Sequence, residues 1–199
     1  MTDFDKQSYW HERFASERSF EWLTSSSTFM GVLAPCLQGL AESARILHLG
    51  SGTSDLHNHI REYGFLDVTN VDYEPLALDR GRELENARFG DVQTKYVVAD
   101  ATRLDMGDTK YQVVVDKSTA DAIACGEDDA VLAMARGIRR CLDEDGFWIS
   151  LSFSSTRYEH VRPLFNVELI AKIPTPKHKP TDPNIFYYCY LLRPRREQL

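Results

Sequence analysis

The sequence predicts an α/β fold: a seven-stranded, mostly parallel sheet that ends in an antiparallel hairpin. Three observations predict it. Short β-branched runs alternate with helical segments from Ile46 onward, several of those runs close on a glycine or an aspartate, and two final strand-like runs flank a proline-rich loop. Parallel neighbours need a crossover, normally a right-handed helix, so regular alternation places helices on both faces of one sheet. The chain has 199 residues, 43% of them hydrophobic, which suffices for one domain without disulfide or metal staples. We read residues 1–44 as a helical lead-in and lid, and 45–199 as the core of that domain.

The elements follow in order. Asp3 to Arg18 is charged with Tyr9, Trp10 and Phe14 interleaved, and Trp10 and Phe14 share one helical face. Phe29 to Leu40 reads as a second helix despite Pro35. Ile46 to Leu49 is the first strand and ends in Gly50-Ser51-Gly52; Thr53 or Ser54 can cap a helix that runs to Tyr63 and stops at Gly64. Val68 to Asp72 is the second strand, and Pro75 sits in the first turn of a helix continuing towards Asn86. Tyr96 to Ala99 and Gln112 to Val115 read as buried parallel strands, each closing on an acidic residue, Asp100 and Asp116. Asp128 to Leu142 carries Val131, Leu132, Ala135, Ile138 and Leu142 on one helical face, then turns at Asp145-Gly146. Phe147 to Phe153 is a fifth strand, Tyr158 to Leu164 a short helix, and Val167 to Ile173 and Ile185 to Leu192 form the hairpin around the loop Pro174 to Pro183.

Charge and cysteines narrow the function classes. A formal charge of -7 argues against a broad face for nucleic-acid backbone. Cys36, Cys125, Cys141 and Cys189 are far apart, with no CxxC pair and no histidine spacing of a metal site, so no metal is expected and the thiols read as reduced. No apolar run approaches the roughly 20 residues of a membrane span. A cytoplasmic protein is the resulting expectation; the oligomeric state is not readable.

In doubly wound sheets a ligand lies beyond the carboxyl ends of the strands where strand order reverses, here after Leu49. Gly50 and Gly52, with Ser51 between them, let the backbone turn tightly and approach a ligand. Asp72, about twenty residues on, can accept both hydroxyls of a ribose. Asp100 can reach the exocyclic amine of an adenine, with the Ala101 amide beside it. A dinucleotide turn wants GxGxxG, but the third glycine position is Asp55, and a carboxylate there repels a diphosphate. The cationic sulfonium and amino group of S-adenosyl-L-methionine suit such surroundings, with S-adenosyl-L-homocysteine as product. Taken singly, the glycines also fit a plain turn, Asp72 and Asp100 solvated strand caps, and Asp55 a first-turn helix carboxylate.

Four segments resemble the methyltransferase-like 13 group, which includes elongation factor 1-alpha lysine methyltransferases: Tyr9 to Phe14, Phe20 to Trp22, Ile46 to Ser54, and Val114 to Ala122. The resemblance implies a Rossmann-like class I methyltransferase. It also implies that Trp10, Phe14 and Phe20 close over the cofactor, that Tyr73 flanks the adenine, that Lys117 belongs to the site, and that Arg13 pairs with the methionine carboxylate. Without it Trp10 and Phe14 read as plain core residues. The sequence departs at Phe14, where tyrosine is common, at Ser118, where the pattern has glycine, and in a short segment from Cys125 to Leu132.

For a lysine acceptor, Asp116 or Asp121 could orient the amine; each also reads as a strand or helix cap. A protein lysine is the first acceptor expected, a small molecule methylated on O, N or S the alternative, and a non-catalytic cofactor-binding subunit the third. Lys177, His178 and Lys179 in the last loop could meet an acidic substrate surface or simply be solvated.

Overall fold

A computed structural model describes residues 3–177 and 179–196. His178 lies outside them, so the expectation for the Lys177 to Lys179 stretch is described only on either side of it.

The seven strands form one sheet in the order β3-β2-β1-β4-β5-β7-β6. The first strand β1 (Ile46–Leu49) pairs in parallel with β2 (Val68–Asp72) and with β4 (Tyr111–Lys117). β2 continues to β3 (Lys95–Val98), and β4 to β5 (Leu142–Ser152). The order therefore reverses at β1, and the carboxyl ends of β1 and β4 open the crevice between them. β6 (Phe165–Pro174) and β7 (Phe186–Pro194) are antiparallel, with β7 inserted against β5 and β6 at the edge.

Helix α1 (Gln7–Ser16) buries Trp10 and Phe14, and α2 (Ser26–Leu37) starts where the Ser25 hydroxyl accepts the Thr28 amide. α2 passes through Pro35 without breaking, and its residues Phe29, Leu33 and Leu37 pack on Ile46, Val68 and Val113. α3 (Leu56–Glu62) begins later than a Thr53 or Ser54 cap would put it; Ser54 instead accepts the Leu56 amide. α4 (Pro75–Phe89) ends on left-handed Gly90. α6 (Ala130–Cys141) covers the other face with Val131, Met134, Ala135 and Ile138 against Leu47, Val114 and Trp148.

Three local expectations change. β3 is an edge strand with Lys95 and Val98 exposed, because nothing pairs beyond it, whereas β4 is buried. The short helix expected at Tyr158 to Leu164 is a single 3₁₀ turn, Glu159–Val161. α5 (Thr119–Ile123), directly after β4, carries no periodicity long enough to announce itself.

Candidate active site

The tips of β1 to β5, α1 and the loop between α1 and α2 enclose one cavity of about 650 Å³. Gly50 at its floor has φ +64°, and Gly52 has φ +51°. A Cβ on Gly50 would lie 2.2 Å from the Thr119 Oγ1, which donates to the Leu49 carbonyl at 2.9 Å. The corner is therefore closed to any side chain by α5 as well as by its torsion angles. Asp72, on the tip of β2, accepts the Gly52 amide at 2.9 Å and the Glu74 amide at 3.0 Å. Burial pushes its carboxyl up to about 6, against the backbone donors that favour the anion. Asp100 accepts the amide and hydroxyl of Thr102, both at 2.8 Å, which turns the chain so that Asp100, Ala101 and Thr102 line one wall.

Of the residues expected at the site, Trp10, Phe14, Phe20, Gly50, Ser51, Gly52, Asp72, Tyr73, Asp100, Ala101, Lys117 and Asp121 line this cavity. Arg13 and Asp116 do not. The Arg13 guanidinium donates to Glu17 at 2.6 Å and to the Tyr9 hydroxyl at 3.1 Å, and lies over the rings of Phe20 and Trp22. Through these contacts it braces the aromatic cover. Asp116 is fully buried beneath the wall, with one oxygen accepting the Trp148 indole N–H at 2.7 Å and the other the Ala120 amide at 3.3 Å. It lies behind the cavity lining rather than in it. Asp121 reaches the cavity, yet its carboxylate accepts from Ser152 at 2.5 Å, from the Phe153 amide at 3.0 Å and from Arg157 at 2.9 Å.

Sequence reading missed Phe4, Trp22, Leu23 and Phe153, all of which line the cavity. Phe4, Trp10 and Trp22 cluster with ring centroids 5.6 to 6.0 Å apart, Trp22 meeting the other two edge to face. Phe153 ends the β5 run and is more than half exposed, a signal available only once its neighbours are known.

Ser118 has φ +70° in the turn from β4 to α5, where the resembling families have glycine. Ser118→Gly should therefore stabilise the fold by about 1 kcal/mol, the left-handed strain removed less the entropy of glycine in the unfolded chain, read as a shifted urea midpoint.

Residues 46–146 match the family described as a methyltransferase domain. Methyltransferase srdJ of Neurospora crassa is 60% identical over 200 residues, covering 98% of this chain and 86% of that protein. The chain belongs to the class I S-adenosylmethionine-dependent methyltransferases. Among more distant relatives, the bovine EEF1A lysine methyltransferase 4 is 34% identical over 65% of this chain, and the human eEF1A lysine and N-terminal methyltransferase 25% over 76%. This methyltransferase spans only half and about a fifth of those two proteins, at 50% and 22% of their lengths. The N-methyltransferase NodS of Bradyrhizobium japonicum, solved with S-adenosylhomocysteine, shares the fold at a TM-score of 0.69 and 11% identity, over 95% of this chain and 99% of that one. The glycopeptide N-methyltransferase MtfA, also solved with that product, does so at 0.65 and 13%, over 96% and 99%.

S-adenosylmethionine is the methyl donor of this family, and the residues present fit it. A bare glycine corner, a buried carboxylate at the second strand tip and an aromatic cover line one cavity. Among the described residues no cluster of His, Cys, Asp or Glu could hold a metal ion, and no helix is long and apolar enough to cross a membrane.

The occupied Asp116 gives a test of its own. Burial holds its carboxyl up at about 7, whereas an unfolded aspartate titrates near ~3.9. The folded state keeps a proton that the unfolded state has already released across that window, so stability falls as pH rises from about 4 to about 7. Asp116→Asn lacks this titration and still accepts the Trp148 indole. Its denaturation midpoint should gain on wild type between pH 4.5 and pH 7.5, with cofactor affinity within about twofold. Asp116→Ala should cost about 2 kcal/mol by leaving the indole N–H unpaired.

Proposed function

We propose that this methyltransferase transfers the methyl group of S-adenosylmethionine to a small molecule bound over the tips of β4 and β5, under the aromatic cover. One observation carries the reading: the two carboxylates of that side, Asp116 and Asp121, are spent on Trp148, Ala120, Ser152, Phe153 and Arg157. A lysine ammonium would find neither free, while Trp22, Leu23, Ile123 and Phe153 give that cavity apolar surface, with Glu127 the further carboxylate in its lining beyond Ile123.

In the binding arrangement we infer, Asp72 accepts the ribose hydroxyls, the Gly50 to Gly52 turn gives backbone to the methionine portion, and the Asp100 to Thr102 corner holds the adenine. Tyr73 flanks that ring, and Trp10, Phe14 and Phe20 close over it. Bound S-adenosylmethionine supplies an electrophilic methyl on a good leaving group. The chain then has to align the acceptor in line with that methyl and exclude water, positioning that is worth roughly 7 to 11 kcal/mol of barrier. The burial of Trp10 and Phe14 in the α1 cover supports the second task.

A second reading, methylation of a protein lysine, is favoured by the names of the EEF1A relatives. It asks Asp121 to leave Arg157 when the acceptor arrives. Incubating the enzyme with tritium-labelled S-adenosylmethionine and a cell extract, then separating precipitated protein from solvent-soluble molecules, decides between them. The expected label is in the soluble fraction. Label recovered as methyl-lysine from protein would overturn the small-molecule reading, and no label in either fraction would favour a non-catalytic subunit.

A further inference from the structure

The family resemblance gives Lys117 to the cofactor, but its surroundings give it another task. Its ammonium, at the carboxyl tip of β4, donates to the Glu21 carboxylate, to the Trp22 carbonyl at 3.2 Å and to the Thr24 carbonyl at 3.1 Å. An ammonium has three donors, and all three are spent. The residue between those two carbonyls, Leu23, has φ +64°, a conformation that bulky side chains seldom adopt. The Thr24 amide closes a tight turn around it by donating to the Trp22 carbonyl at 2.7 Å, and Lys117 grips the backbone on both sides of that turn. The other Glu21 oxygen accepts the Ser54 hydroxyl and the Asp55 amide, both at 2.9 Å, so the same segment is also tied to the loop after β1.

What this strap carries is the cover of the cavity. Phe20, Trp22 and Leu23 line the cavity, and Trp22 meets the rings of Trp10, Phe4 and Phe20 at centroid distances of 5.8, 5.6 and 5.4 Å. We propose that Lys117 is a positioning residue whose ammonium locks residues 20–24 across the cavity and thereby sets how long the cofactor stays bound. The proposal rests on the cavity being the cofactor site. Removing the ammonium leaves the Thr24 carbonyl without this partner, Glu21 without its counter-charge, and the Leu23 turn held only by the Thr24 amide bond to the Trp22 carbonyl at 2.7 Å.

Two measurements on Lys117→Met test it. In the cofactor-free protein, amide exchange over residues 18–25 should rise by about tenfold, the loss expected for one charge-assisted hydrogen bond, while β1, β2 and β4 exchange as in wild type. With S-adenosylhomocysteine, dissociation followed by tryptophan fluorescence should quicken by about tenfold and association change by less than about twofold. Unchanged exchange together with lost affinity would mean that Lys117 contacts the cofactor itself, and unchanged exchange with unchanged dissociation would mean that it does neither; each overturns the proposal. If Lys117→Met does not fold, Glu21→Gln keeps the two carbonyl bonds but removes the ion pair, and should loosen the same segment and speed release to a smaller degree. Wild-type values for both in Glu21→Gln would equally overturn it. The exchange experiment needs no cofactor, so a wild-type protein that failed to bind S-adenosylhomocysteine would refute the site assignment without touching the strap.

Discussion

Gly50→Ala should be the most damaging single change in this protein. Its Cβ would stand 2.2 Å from Thr119 Oγ1 and 2.5 Å from Thr119 Cγ2, and its backbone would have to keep φ +64°. The torsion costs an L-residue about 1 to 2 kcal/mol. The contact is worse, because Thr119 is branched at Cβ and opens the first turn of α5, so it has few rotamers to retreat into. Moving it breaks its bond to the Leu49 carbonyl, and a buried acceptor left unpaired costs a further ~1 to 3 kcal/mol. We expect a loss of about 2 to 5 kcal/mol in urea unfolding, the sum of these two costs. We also expect calorimetric titration with S-adenosylhomocysteine to show affinity down by about 100-fold, since the corner that must move is the cavity floor. A Gly50→Ala protein with wild-type stability and affinity would mean that this corner neither packs nor binds as described.

Asp72→Ala should remove cofactor binding at a far smaller cost to the fold. Two charge-assisted hydrogen bonds to ribose hydroxyls, at about 1.5 to 3 kcal/mol each, correspond to a loss of roughly 100- to 10,000-fold. The same change takes the acceptor from the Gly52 and Glu74 amides, the second of them buried, and should cost about 1 to 3 kcal/mol of stability in urea unfolding. The pH dependence follows from the direction of its shift. The anion is the form that accepts both hydroxyls, and burial has raised the carboxyl to about 6. Affinity should therefore be full above about pH 7 and fall as pH drops through 6, rather than near the ordinary aspartate value of ~3.9. Titrations from pH 5 to pH 8 check this, and Asp72→Ala should show a flat residual profile across that range. A wild-type profile that is flat down to pH 5 would show that the cofactor does not depend on the ionised carboxylate.

Much of the fold was legible because it is written in short-range terms. β1 and β2 were bounded correctly by β-branched runs closing on a glycine corner and an aspartate, and Pro75 marked the start of α4. Strand tips in a parallel sheet all point one way, so reading where each strand stops also reads what faces the crevice. That is why Gly50, Asp72 and Asp100, scattered over fifty residues, could be assigned to one cavity before any coordinates. The exposed edge position of β3 was not legible: Tyr96, Val97 and Val98 look alike whether or not a further strand pairs beyond them.

The site divides along the same line. By itself the sequence determined the fold class, the order of elements and the glycine and carboxylate tips, since these depend on periodicity and on residues at the ends of their own strands. Only the tertiary structure decided which charged groups are free. Asp116, Asp121 and Lys117 carry charges that any reader would offer to a ligand, yet Trp148, Arg157 and Glu21 reach them from elsewhere in the chain, up to 96 residues away in the case of Lys117, whereas Arg13 meets Glu17 one helical turn on. A buried charge takes whichever partner the packing brings near, because leaving it unpaired costs several kcal/mol, and that partner is set by how the layers stack rather than by what stands next to it in the chain.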